Sequence, residues 1–172
     1  MVSEIILLMV FAYLVGSIPF GFLLGKFRGI DIREHGSFNI GATNAGRVLG
    51  KRYFFVVLLL DAAKGFLPTL VAGKILFQSN AAHQWLNLLW LIIAFSAISG
   101  HNWPVWLKFK GGKGVATSLG VVLAIYPYYT YPGLIAFLCW IVVVKITRYV
   151  SLGSIMAAGT FLLSYILFFE IL

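Results

Sequence analysis

Three lysines, four glycines and a histidine crowd the stretch Gly100-His101-Asn102-Trp103-Pro104-Val105-Trp106-Leu107-Lys108-Phe109-Lys110-Gly111-Gly112-Lys113-Gly114-Val115-Ala116-Thr117, between segments apolar enough to cross a bilayer. Bare backbone and positive charge are what an oxyanion such as phosphate or carboxylate needs from a protein. Lys110, Gly111, Gly112 and Lys113 are therefore candidate anion ligands, while Lys108 reads equally as a topology signal. The run is not a nucleotide P-loop, because Gly114 follows Gly112-Lys113 and Leu107 stands where that motif needs its first glycine. His101 titrates near neutral pH in its ordinary state, which suits a base or a phosphate donor; a hydrogen-bonded structural histidine is the competing reading.

A second cassette, Gly36-Ser37-Phe38-Asn39-Ile40-Gly41-Ala42-Thr43-Asn44-Ala45-Gly46-Arg47, offers different chemistry. Its small residues let backbone approach a ligand closely. Ser37, Asn39, Thr43 and Asn44 supply neutral hydrogen bonds, and Arg47 can clamp a phosphate with two parallel bonds. The same residue types also make ordinary turns. A third cassette, Thr147 to Ser154, holds Ser151 and Ser154, which serve as helix caps as readily as ligands. Asp61 and Lys64, three apart in an apolar run, share a helix face and can pair, either as a self-neutralising lock or as an extension of a positive site.

The elements that must position these residues are membrane helices. Hydrophobic residues make up 61% of 172 positions and charged residues only 10%, against about 25% in soluble domains. The chain reads as an all-α, polytopic membrane helix bundle of one domain, 1–172, with six apolar segments: Ile5–Leu24, Tyr53–Phe77, Trp85–Ser99, Val115–Tyr126, Tyr131–Ile146 and Leu152–Leu172. The first is a transmembrane helix rather than a signal peptide, since its one early charge is Glu4 and no small-residue cleavage site follows. Gly16, Pro19, Gly21 and Gly25 there read as packing and kink residues.

Of the 13 basic residues, 11 lie on the connections Lys26–Arg52, Lys108–Lys113 and Lys145–Arg148, all on one side of the bundle. Gln78–Gln84 and Pro127–Pro132 carry none. The positive-inside rule then puts the N-terminus outside and all three cassettes at the cytoplasmic face. The net charge of +8 implies contact with anionic membrane lipids, and its division among short loops excludes nucleic-acid binding. The single cysteine, Cys139, excludes a disulfide framework, and no metal-ligand cluster is visible.

In this order and on this topology, the cassettes closely resemble the bacterial integral-membrane glycerol-3-phosphate acyltransferases that use acyl-phosphate as donor. The matching stretches are Gly16-Ser17-Ile18-Pro19-Phe20-Gly21, Asn39-Ile40-Gly41-Ala42-Thr43-Asn44, Asp61-Ala62-Ala63-Lys64-Gly65, the Gly100–Thr117 run and Ser151-Leu152-Gly153-Ser154, covering nearly the whole chain. The resemblance implies acyl transfer from acyl-phosphate to the 1-hydroxyl of glycerol 3-phosphate at the inner leaflet of the cytoplasmic membrane. The products are lysophosphatidic acid and inorganic phosphate, and the reaction needs no cofactor, metal or acyl-CoA. The His-x-x-x-x-Asp motif of soluble acyltransferases is absent, because His35, His83 and His101 are followed at that spacing by Ile40, Leu88 and Trp106.

Acyl-phosphate is an activated mixed anhydride, so the enzyme has to bring two anions together and stabilise developing charge. On this basis Ser37, Asn39, Thr43 and Arg47 serve the acyl-phosphate or the departing phosphate. Gly111, Gly112 and Lys113 hold the glycerol phosphate, and Asn44, Lys64, His101, Lys110, Ser151 and Ser154 complete the polar surroundings. A substrate phosphate can itself act as base. Phe38 stands where the family usually has a small residue such as Gly. The family's seventh helix and basic tail, with an Arg-His and an Asn-Ile, have no counterpart before Leu172, so a C-terminally truncated form is expected ahead of the alternative, a divergent member with impaired activity. Two rival classes are a small-anion transporter or channel and a non-catalytic lipid- or phosphate-binding subunit. The transporter requires basic groups on the far side, where only Lys74 approaches.

Overall fold

The computed structural model describes residues 2–78 and 83–171, so most of the expected Gln78–Gln84 connection lies outside the described residues. Among the described residues eight α-helices and two 3-10 turns follow one another and no strand occurs. The helices are α1 (Val2–Gly16), α2 (Phe20–Phe27), α3 (Ala42–Leu49), α4 (Lys51–Gln78), α5 (His83–Asn102), α6 (Val115–Ala124), α7 (Thr130–Thr147) and α8 (Val150–Ile171). Among the described residues, four stretches are long and apolar enough to cross a membrane: Val2–Phe27, Lys51–Gln78, Trp85–Leu107 and Thr130–Thr147. Each of the six expected segments is helical. However, α6 has 10 residues and rises only about 15 Å, half of a bilayer core.

Two differences from the sequence expectation bear on the site. The first apolar segment is two helices, broken at Ser17-Ile18-Pro19, because proline lacks an amide donor and disfavours helical backbone before it. The second cassette, read as a ligand-binding loop or an ordinary turn, contains the start of α3. Ala42 and Ala45 of that helix, with Val48 and Leu49, pack into a cluster with Ile32, Ile40, Val57 and Leu107.

Two compact units divide the chain, Met1–Val121 and Val122–Leu172. In the first, α1 and α4 pack on α5, while α3 lies along α4. Contact is close because glycines face backbone: a Cβ on Gly16 would overlap the Ala97 carbonyl, and one on Gly100 the Tyr13 carbonyl. Gly65 and Gly120 do the same between α4 and α6, meeting Thr117 and Ala62. These approaches bring the end of α5 and the start of α6 beside the middle of α4. In the second unit α7 and α8 form an antiparallel pair. Tyr129 stacks on Tyr165, the Thr160 hydroxyl donates to Cys139 Sγ at 3.3 Å, and Gly153 lies against Trp140 and Val144.

Candidate active site

The loop before α3 is built around one buried side chain. Asn44, 1% exposed, accepts from the Ser37 amide at 2.8 Å through Oδ1. Its Nδ2 donates to the carbonyls of Ile32, His35 and Asn39 at 2.8, 3.1 and 2.8 Å. Every polar atom of Asn44 is therefore spent on holding the loop. Asn39 Oδ1 accepts from the Gly41 amide at 2.9 Å, which shapes the entry to α3. Upstream, Asp31 accepts two side-chain bonds from Arg33, at 3.0 and 2.7 Å, and that guanidinium lies 4.4 Å from the Phe22 ring centre. The hydrogen-bonded guanidinium holds the Asp31 carboxyl at about 2, below its ordinary 3.8.

The glycine-rich run is pinned to the end of α5. The Gly111 amide donates to the Asn102 carbonyl at 3.2 Å and the Gly112 amide to the His101 carbonyl at 3.1 Å. These bonds satisfy carbonyls that a helix end otherwise leaves bare. They also commit the two amides that sequence chemistry would offer to a ligand. A Cβ on Gly112 would overlap Nε2 of His101, so the loop abuts the Nε2 edge of the imidazole.

Behind this loop, α4 carries a buried charged pair. Lys64 Nζ is 2.8 Å from Asp61 Oδ1 and donates to the Ile18 carbonyl at 2.7 Å, inside the break between α1 and α2. His101 Nδ1 lies 3.7 Å from the same Asp61 oxygen. All three residues are at most 3% exposed.

Between the loops lies a cavity of about 400 Å³, within the range of small-molecule sites. It is lined by Ser37, Asn39, Thr43, Asn44 and Arg47 from the loop and helix of α3, by His101 and Lys113 from the end of α5 and the glycine-rich loop, and by Asp61 of α4. Phe54 and Leu58 of α4, with Val115 and Ala116 of α6, give the remaining surface an apolar character. Such a cavity suits a molecule with an anionic head and an apolar body. Seven of the candidate residues named from sequence meet here, drawn from segments some 60 residues apart.

The others stand elsewhere. Lys64 sits behind Asp61, Gly111 and Gly112 form the backing of the loop, and Lys110 is exposed beyond it. Ser154 is exposed near the start of α8 in the second unit, and the side chain of Ser151 lies outside the described residues. Phe54, Leu58 and Val115 carried no sequence signal, since lipid-facing and cavity-facing apolar residues look alike. Asp61 did carry one, as a carboxylate in an apolar run.

The family model described as Glycerol-3-phosphate acyltransferase matches residues 6–172. A protein of that name from Desulforamulus reducens is 47% identical over 154 residues, covering 89% of this chain and 72% of the relative. Another of that name, from Myxococcus xanthus, is 47% identical over 93% of this chain and 77% of its own length. Among solved structures, the fold is similar to PlsY (YgiH), an integral membrane glycerol 3-phosphate acyltransferase, in its glycerol 3-phosphate form. The TM-score is 0.78 at 43% identity, over 95% of this chain and 77% of that one. The lysophosphatidic acid form of PlsY gives 0.77 at the same identity. By sequence and by its all-helical membrane fold alike, the chain belongs to the glycerol-3-phosphate acyltransferase family.

Proposed function

We propose that the protein transfers a fatty acyl group from acyl-phosphate to the 1-hydroxyl of glycerol 3-phosphate, giving lysophosphatidic acid and inorganic phosphate. The observation that carries this reading is the cavity lined by Arg47 and Lys113 together with the neutral hydrogen-bonding groups of Ser37, Asn39 and Thr43 and the apolar side chains of Phe54, Leu58 and Val115. Two cations suit two anionic substrates, one phosphate for each. The hydroxyl oxygen attacks the acyl carbonyl carbon, and the carbon–oxygen bond to phosphate breaks. The leaving phosphate carries off the electron pair, and a substrate phosphate oxygen takes up the hydroxyl proton. No covalent enzyme intermediate is needed, because the donor is already activated.

In this scheme Ser37, Asn39, Thr43 and Arg47 hold the acyl-phosphate or the departing phosphate, and Lys113 holds glycerol 3-phosphate. Gly111 and Gly112 contribute by letting the loop lie close to His101, and Asn44 by shaping the loop opposite. The reaction is placed at the cytoplasmic face of the bacterial inner membrane, with six spans and the N-terminus outside. That placement is supported by the 11 basic residues on one set of connections.

The test is acyl transfer by the purified chain in lipid, with labelled glycerol 3-phosphate and either palmitoyl-phosphate or palmitoyl-CoA. Lysophosphatidic acid from the phosphate donor alone is expected. Product from palmitoyl-CoA alone rules out the assigned donor.

A further inference from the structure

The cavity holds one group whose charge opposes its purpose. Asp61 stands in the wall of a site whose other charged residues, Arg47 and Lys113, are cationic. A carboxylate there repels a phosphate, so it does not serve the anion directly. Its neighbours show what it does serve. Lys64 pairs with it at 2.8 Å and is itself tied to the Ile18 carbonyl, so the carboxylate is held rigidly against the α1–α2 break. On its other side is the imidazole of His101, whose Nδ1 is buried with no hydrogen-bond partner and lies 3.7 Å from Asp61 Oδ1. A shift of a few tenths of an ångström makes that a hydrogen bond. The opposite ring edge, at Nε2, is what Gly112 rests upon, and the His101 carbonyl accepts the Gly112 amide.

We propose that Asp61 is a positioning residue for the phosphate-gripping loop, acting through the His101 imidazole to fix where Gly112 and Lys113 stand. The chain of contact runs from the α1–α2 break through Lys64, Asp61, His101 and Gly112 to Lys113. This inference rests on the function proposed above. It assigns Asp61 to glycerol 3-phosphate affinity and leaves the acyl-phosphate side, on α3 and its loop, untouched.

Removing Asp61 alone strands a buried ammonium, so both charges are removed together. The full chain in lipid is compared as wild type, Asp61→Asn/Lys64→Met, His101→Gln and the triple variant. Calorimetry reads glycerol 3-phosphate binding, and kinetics read KM for each substrate. The double variant and His101→Gln are each expected to weaken glycerol 3-phosphate about tenfold, with KM for palmitoyl-phosphate changed less than about twofold. The triple variant is expected to be no worse than the weaker of the two, because both act through one ring. Wild-type affinity in the double variant, or a triple loss equal to the product, overturns the inference while leaving the function standing. Absence of binding by the wild type removes the function, and this inference with it. Should the doubly neutral protein not fold, Asp61→Glu keeps both charges but moves the carboxylate. It is expected to show the same selective loss, and unaltered affinity there overturns the inference.

Discussion

Nε2 of His101 occupies the space where a Cβ on Gly112 would stand. The glycine is therefore required by the ring beneath it, and Gly112→Ala is expected to lift the loop off the imidazole. Acyl transfer should fall at least about tenfold in kcat/KM while the helical bundle melts within a few degrees of wild type. Undiminished turnover in Gly112→Ala would show that the loop has room the structure does not give it.

Asn44 ties three carbonyls and one amide in the loop before α3. Asn44→Ala leaves those groups without partners, at a cost of about 2–4 kcal/mol. Thermal unfolding and limited proteolysis between residues 31 and 50 measure it. Asn44→Asp keeps the acceptor for Ser37 but loses every donor, so it should be at least as damaging. If Asn44→Asp matches wild type, the donor side of the cluster is unimportant.

Arg47 and Lys113, from different elements, both line the cavity. Arg47→Lys retains charge but loses the planar fork, and about a hundredfold loss in kcat/KM is expected. Lys113→Ala is expected to raise KM for glycerol 3-phosphate more than for acyl-phosphate. Equal effects of Lys113→Ala on both substrates would reassign that lysine.

Phe38 has a φ of 59°, in the left-handed region that side chains avoid, and is 67% exposed. Phe38→Gly relieves that strain and gives up little burial. It should stabilise the protein by about 0.5–1 kcal/mol with activity retained. A lower melting temperature would mean that the ring contributes contacts worth more than the strain.

The pairing of Asp31 with Arg33 has a definite pH signature. Because the folded carboxyl is held at about 2, below its ordinary 3.8, it contributes stability at neutral pH that is lost as pH falls through that interval. The pair is exposed, so the contribution is under about 1 kcal/mol. Asp31→Asn should be slightly less stable than wild type at pH 7, with the gap closing below about pH 3. A gap that persists at pH 2 would point to the backbone bond rather than the charge.

Much of the framework was readable before any coordinates. Pro19 reads as a kink residue and stands at a full break, and two of the three polar cassettes, Gly36–Arg47 and Gly100–Thr117, line one cavity. α3 was missed because Ser, Asn, Gly and Thr read as turn formers, although Ala42, Ala45 and Leu49 already carried helical spacing. The role of Asn44 was beyond reach. It depends on carbonyls from Ile32, His35 and Asn39 converging on one amide, which local pattern does not encode. Gly111 and Gly112 looked like bare donors, yet their amides are taken by the end of α5. That contact joins residues nine or eleven apart, across a reversal that runs from Pro104 through the 3-10 turn to Lys108 and Phe109 in the left-handed region.

The bond from Lys64 to Ile18 bears on how the protein is made. A broken helix in lipid leaves carbonyls that no water can satisfy. The Ile18 carbonyl leaves the ribosome 46 residues before the ammonium that satisfies it. Until α4 arrives, the Ile18 carbonyl has only the Phe20 amide, at 3.2 Å, and until α1 and α2 are in place, Lys64 enters the bilayer with only Asp61 for company. The two segments are thus co-dependent passengers of the translocon, and retention of the first beside it until the second emerges is the low-energy order of assembly.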